Sequence, residues 1–163
     1  MRLASFHRSF VAASLVSLLG LAACTTGEAP PPAPTPPTLY VRLGGQPVLA
    51  AVVDDFVSMI KSDRRVNRRF RNANLVHLKA SLVDQLCAVT GGPCHYTGKP
   101  MNEVHHGMRI TDAEFNAVVQ DLRRSLTLHN VAIELQTEVV ALLEPMRDDV
   151  VPPPHGRGLS PGR

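Results

Sequence analysis

Residues 100–111 read Pro100-Met101-Asn102-Glu103-Val104-His105-His106-Gly107-Met108-Arg109-Ile110-Thr111. Taken as a helical turn opening at Pro100, the segment places Met101, Val104 and Met108 on one face at 3.6 residues per turn. His105 lies on that face, roughly 40° from Met101 at about 100° per residue, and His106 lies about 100° further round, towards solvent. One histidine of the pair therefore points at an apolar interior and its neighbour does not.

Two readings fit such a residue. One is a core histidine satisfied by a backbone hydrogen bond. The other is an axial ligand to a haem iron, which needs a neutral imidazole projecting from a helix into an apolar slot. A zinc site through His95, His105 and His106 lacks cysteine or carboxylate partners at the usual spacing. The rest of the chain weighs between the first two.

Working outward, helical periodicity recurs on both sides. Leu75, Leu78, Leu82, Leu86 and Val89 are separated by 3, 4, 4 and 3 residues, which predicts a helix over 74–90 with an aliphatic face. His77 faces away from it. Thr90-Gly91-Gly92-Pro93 stops this helix. Thr111-Asp112-Ala113-Glu114 is a capping box that opens a helix to about 128 carrying Phe115, Val118, Val119, Leu122 and Leu126. A last helix over about 132–149 turns Leu135, Val139, Leu142, Leu143 and Met146 inward and is kinked at Pro145. Towards the N-terminus, Val48, Val52, Phe56, Met59 and Ile60 predict a helix over 47–61, preceded by the short apolar segment Leu39–Leu43 and a Gly44-Gly45 corner. No long run alternates with period two, so the reading is an all-α domain.

The chain has 163 residues, of which about 39–151 form the folded unit, enough for a single core. Residues 1–23 combine a basic start (Arg2, Arg8), an apolar stretch from Phe10 to Ala23 and small residues before Cys24, the pattern of a secretory signal. Leu21-Ala22-Ala23-Cys24 resembles the lipobox of bacterial lipoproteins, which implies cleavage before Cys24 and lipid attachment to it. Thr25 and Thr26, in place of an acidic residue, imply sorting to the outer membrane. Residues 24–38 then comprise the lipidated cysteine and a proline-rich spacer that favours extended polyproline II. Residues 152–163 form a Pro/Gly-rich tail, disordered by composition. The lipid bilayer, reached through Cys24, is thus one expected partner, and the expected location is the periplasmic face of the cell envelope.

The net charge of +3 includes Arg2 and Arg8; without them 15 Lys and Arg face 14 Asp and Glu, which argues against nucleic acid as a partner. The basic run Lys61, Arg64, Arg65, Arg68, Arg69 and Arg71 reads either as a solvated corner or as a dock for an acidic partner or lipid head groups. Cys87 and Cys94, seven apart in an exported chain, are permitted a disulfide.

The ordered set Leu39-Tyr40-x-Arg42-Leu43-Gly44-Gly45, Val53-Asp54-Asp55-Phe56, Phe70, Leu86-Cys87-x-x-Thr90-Gly91-Gly92-Pro93-Cys94-x-Tyr96-Thr97-Gly98 and Met101-x-x-x-His105-x-Gly107-x-x-Ile110-Thr111-Asp112-x-x-Phe115 resembles a group I truncated haemoglobin over essentially all of 39–151. The resemblance implies a two-over-two helical sandwich that binds haem b (iron protoporphyrin IX), with His105 as the proximal iron ligand. It implies that Phe70 stacks on the haem and that Leu78, Leu82 and Leu86 line its far side. Val57 takes the position where many members have a tyrosine that reaches bound oxygen. Lys79 falls near a position that reaches a haem propionate, and Phe115 and Val119 pack near the ring.

The departures from the family are as informative. Val57 and Leu82 replace a tyrosine and a glutamine, Ser81 stands where some members have a second iron-binding histidine, and Met108-Arg109 replaces Leu-Gly. The far side is therefore aliphatic. The resemblance favours a ligand-binding haem protein that takes oxygen or other diatomic gases (O2, NO or CO) over a dedicated enzyme. The alternatives are nitric oxide detoxification or electron transfer, which require a separate reductant as partner, and a haem-free structural shell, against which His105 and Phe70 argue.

Overall fold

The structure is a computed structural model, and it describes residues 35–153. The expected signal segment, the expected lipidation site Cys24, most of the expected spacer and residues 154–163 lie outside the described residues.

Among the described residues seven helices follow one another: α1 (Leu39–Leu43), α2 (Gly45–Ser62), α3 (Leu75–Val89), α4 (Met101–Val104), α5 (Asp112–Leu128), α6 (Ile133–Leu143) and α7 (Arg147–Val150), with 3-10 turns at Asn67–Phe70 and Glu144–Met146. Among the described residues there is no strand, and no helix is long and apolar enough to cross a membrane.

Helix α2 is the centre of the packing, with α5 and α3 as its principal neighbours. Its residues Leu49, Val52, Val53, Val57 and Ile60 are each at most 1% exposed, and Ala117, Leu122 and Leu126 of α5 meet them. Two polar side chains caught in this core, Ser125 and Gln136, are satisfied by backbone carbonyls, whereas the buried Asp121 Oδ2 has no hydrogen-bond partner among the described residues. Ser125 Oγ donates to the Val52 carbonyl at 2.6 Å, and Gln136 Nε2 donates to the Val131 carbonyl at 2.9 Å.

Local chemistry sets the boundaries. The segment at 39–43, expected only as a short apolar stretch, is a helix because the Thr38 side chain caps it. Gly44 sits at φ 101°, and a Cβ there would lie 2.6 Å from Val48 Cγ2, so only glycine makes this corner. Asn74 caps α3 through the His77 amide, and the Thr111–Glu114 capping box opens α5 with both of its hydrogen bonds formed.

The expected final helix over 132–149 is instead three pieces. Pro145 has no N–H to donate, and it sits within the 3-10 turn Glu144–Met146 that separates α6 from α7. Leu142, expected inward, is 39% exposed, whereas Val139 on the same helix is 2% exposed. Cys87 and Cys94 are joined by a disulfide, which pins the end of α3 to the loop leading into α4.

Candidate functional site

Helix α4 has only four residues, and His105 is its C-cap. Such a short helix cannot be stable alone, so its anchors matter. The His105 amide donates to the Met101 carbonyl at 3.1 Å, and the ring Nδ1 also meets that carbonyl at 2.9 Å. A carbonyl only accepts, so Nδ1 carries a proton, and in the neutral ring that leaves the lone pair on Nε2. His106 is exposed, as the helical wheel requires. After His105 the chain turns through Gly107 at φ 76° and Arg109 at φ 51°. Arg109 is one of two non-glycine residues in the left-handed region among those described.

The His105 ring lines a cavity of about 350 Å³. Helix α3 forms one wall through Leu78, Leu82, Gln85 and Leu86, and Phe115, Val118, Val119 and Leu122 of α5 form another. Met101, Val104, Met108 and Ile110 flank the histidine, Phe70 and Val66 come from the segment between α2 and α3, and Leu143, Met146 and Val150 close the side towards the C-terminus. Of the residues expected at a site, Phe70, Leu78, Leu82, Leu86, Phe115 and Val119 are brought together with His105 around one space.

Two expected residues are not. Val57 is 1% exposed and belongs to the sealed core, whereas its neighbour Phe56 lines the cavity. One residue along a helix is a turn of about 100°, which moves Val57 off the cavity side. Lys79 also lies elsewhere: its ammonium is paired with Asp54 on α2, and it is not among the lining residues. Ser81 is likewise absent from the lining.

Three polar side chains besides His105 reach the cavity, and the sequence reading assigned none of them to it: Arg69, Gln85 and Glu114. Gln85 was within reach, since it follows Leu82 by three residues on the same helix. Its amide donates to Met101 Sδ and Met146 Sδ at 3.5 and 3.4 Å, both weak acceptors. Arg69 was hidden in the basic run. It forms a two-pronged ion pair with Glu114, at 2.8 and 2.9 Å. The Arg69 guanidinium, followed by hydrogen bonds from Thr111, holds the Glu114 carboxyl down to about 2. The basic run is thus partly neutralised from within, since Arg65 pairs with Asp63 as well.

The match to known proteins spans the same helices. The family model for bacterial-like globins matches residues 38–151. The chain belongs to the bacterial-like globin family. This globin is 34% identical over 113 residues to the group 1 truncated haemoglobin of Tetrahymena thermophila, covering 69% of the chain and 93% of that protein. It is 33% identical over 115 residues to the group 1 truncated haemoglobin of Mycolicibacterium paratuberculosis, covering 71% and 85%.

Among solved structures, the truncated haemoglobin of Tetrahymena pyriformis in its Fe(III) form superposes with a TM-score of 0.69 at 32% identity, covering 71% of the chain and 98% of that structure. The 2/2 haemoglobin of a Synechococcus species, solved in the cyanomet state with covalently attached haem, gives a TM-score of 0.67 at 30% identity, with coverage of 71% and 98%. The all-helical architecture of this globin is that of the truncated, two-over-two type.

Proposed function

We propose that the cavity holds haem b, that His105 Nε2 is its proximal iron ligand, and that the globin binds oxygen or another diatomic gas on the opposite side, in the cell envelope. The observation that carries this reading is the His105 ring. Its Nδ1–H is fixed on the Met101 carbonyl and its Nε2 is free in an apolar cavity. A hydrogen bond from the outer nitrogen orients a ligating imidazole and raises its basicity.

The lining fits the group. It is mostly aliphatic and aromatic, as a flat apolar macrocycle requires, with Phe70 and Phe115 both in it and Arg69, Gln85 and Glu114 as its polar members besides His105. His105 would hold the haem, which when bound would supply an iron able to take up a diatomic gas.

The aliphatic wall sets the selectivity. Leu78 and Leu82 donate no hydrogen bond, and Val57 is turned into the core. A charge-assisted hydrogen bond contributes roughly 1.5–3 kcal/mol, or about one to two decades in an equilibrium or a dissociation rate. Oxygen gathers negative charge on binding and loses most from the lack of a donor; carbon monoxide and nitric oxide lose less. The lack of a donor at Val57, Leu78 and Leu82, with the Gln85 amide engaged by Met101 and Met146 Sδ, disfavours efficient nitric oxide detoxification, which relies on firmly held oxygen and a reductant. The envelope location and the Cys24 anchor rest on the sequence of residues 1–38 alone.

Replacing His105 tests the site. Titrated with haem, the full chain should take up one equivalent, and His105→Ala should lose tight uptake. An unchanged spectrum and stoichiometry in the variant would overturn the assignment.

A further inference from the structure

Arg69 does more than neutralise a carboxylate. Its guanidinium reaches four acceptors in two neighbouring elements. Nε and Nη2 donate to the two Glu114 oxygens at 2.8 and 2.9 Å. Nη1 donates to the Met108 carbonyl at 2.6 Å, and Nη2 to the Arg109 carbonyl at 3.3 Å. Glu114 Oε2 in turn accepts from the Thr111 amide and hydroxyl at 2.9 and 3.0 Å. One ion pair therefore fastens the backbone at residues 108, 109 and 111.

That backbone is the segment leaving His105. It is not helical, and it passes through Gly107 and Arg109 in the left-handed region, where a non-glycine residue is strained and must be held by its surroundings. Arg69 itself sits in the 3-10 turn Asn67–Phe70, beside Phe70, which lines the same cavity. The pair thus ties the segment carrying Phe70 to the segment carrying His105.

We infer that Arg69 is a positioning residue: with Glu114 it clamps the loop after His105 to the Phe70 segment and so fixes the His105 ring in the cavity. Lysine does not replace it, because a single ammonium lacks the planar fork that serves a carboxylate and two carbonyls together. The clamp is a property of the chain itself; its effect on a bound haem rests on the reading of His105 as ligand.

The test has an apo and a loaded arm, both on the full chain. In the apo protein, hydrogen exchange of the peptide covering 106–111 should be about tenfold faster in Arg69→Lys and Arg69→Ala, and less accelerated in Glu114→Gln. In the haem-loaded protein, the same variants should broaden or shift the ferrous iron–histidine stretching band in resonance Raman and lose haem about tenfold faster. His105 should remain the ligand throughout. Arg69→Lys keeps charge and length, so it covers the case in which Arg69→Ala fails to fold. Wild-type exchange in Arg69→Lys, with an unmoved band, would overturn the clamp. Accelerated exchange in a chain whose wild type takes up no haem would sustain the clamp and remove the ligand reading instead.

Discussion

The α2–α5 core and the α3–α4 cavity are built from the same kinds of side chain and behave differently. In α2, Val52 and Val53 are fully buried and Val57 is 1% exposed; across from them Leu126 is 1% exposed. Helix α3 has an equally regular aliphatic face, yet its only buried members are Leu86, at 5% exposed, and Cys87, and Leu78 and Leu82 are half-buried. The difference is what each face meets. The α2 face interlocks with α5, where each apolar side chain contributes roughly 1.5–3 kcal/mol by burial. The α3 face meets a cavity. Periodicity marks a face as apolar and leaves open whether protein or a ligand covers it.

Truncation should separate the two regions most strongly. Leu126→Ala removes a fully buried leucine from interlocked packing and should cost about 2.7–5 kcal/mol in denaturant unfolding. Leu82→Ala, whose side chain already borders open volume, should cost under about 2 kcal/mol and chiefly change the rates of gas binding in the loaded protein. Equal costs at the two sites would break the distinction.

A smaller effect is expected in acid. The folded Glu114 carboxyl lies at about 2, below the ordinary value near 4.3 for an unfolded glutamate. A depressed folded value gives stability that is present above the unfolded value and is lost as pH falls through the folded one. Stability should therefore decline between about pH 5 and pH 2, with Asp63, also held at about 2 by Arg65, adding to the decline. Asp121, which is pushed up by burial and then by Asp63, works in the opposite direction. Glu114→Gln should flatten the curve in that window relative to wild type; parallel curves would show that the clamp carries no linkage.

Much of the helical frame could be read from residues alone. The leucine spacing located α3 to within a residue at each end, and Thr111 and Glu114 located the start of α5. The resemblance then gathered Phe70, Leu78, Leu82, Leu86 and Phe115 with His105. Other placements came only with the fold, and the reason is physical. Val57 and Phe56 are adjacent, so a one-position choice moves a side chain from cavity to core. Lys79 is long enough to serve either direction, and Asp54 on α2 claims it. Pro145 signals a break but not whether the chain kinks or divides. Arg69 carried no pattern at all: its partners lie 39 to 45 residues away in sequence, and only the fold brings them together.

The most direct test of the central claim is the absorption spectrum of the full chain loaded with haem, taken in the ferrous state before and after adding carbon monoxide. One His105 ligand opposite an aliphatic wall predicts a five-coordinate ferrous spectrum that converts to a sharp Soret band with carbon monoxide. A low-spin ferrous spectrum without added gas, or no Soret band at all, would contradict it.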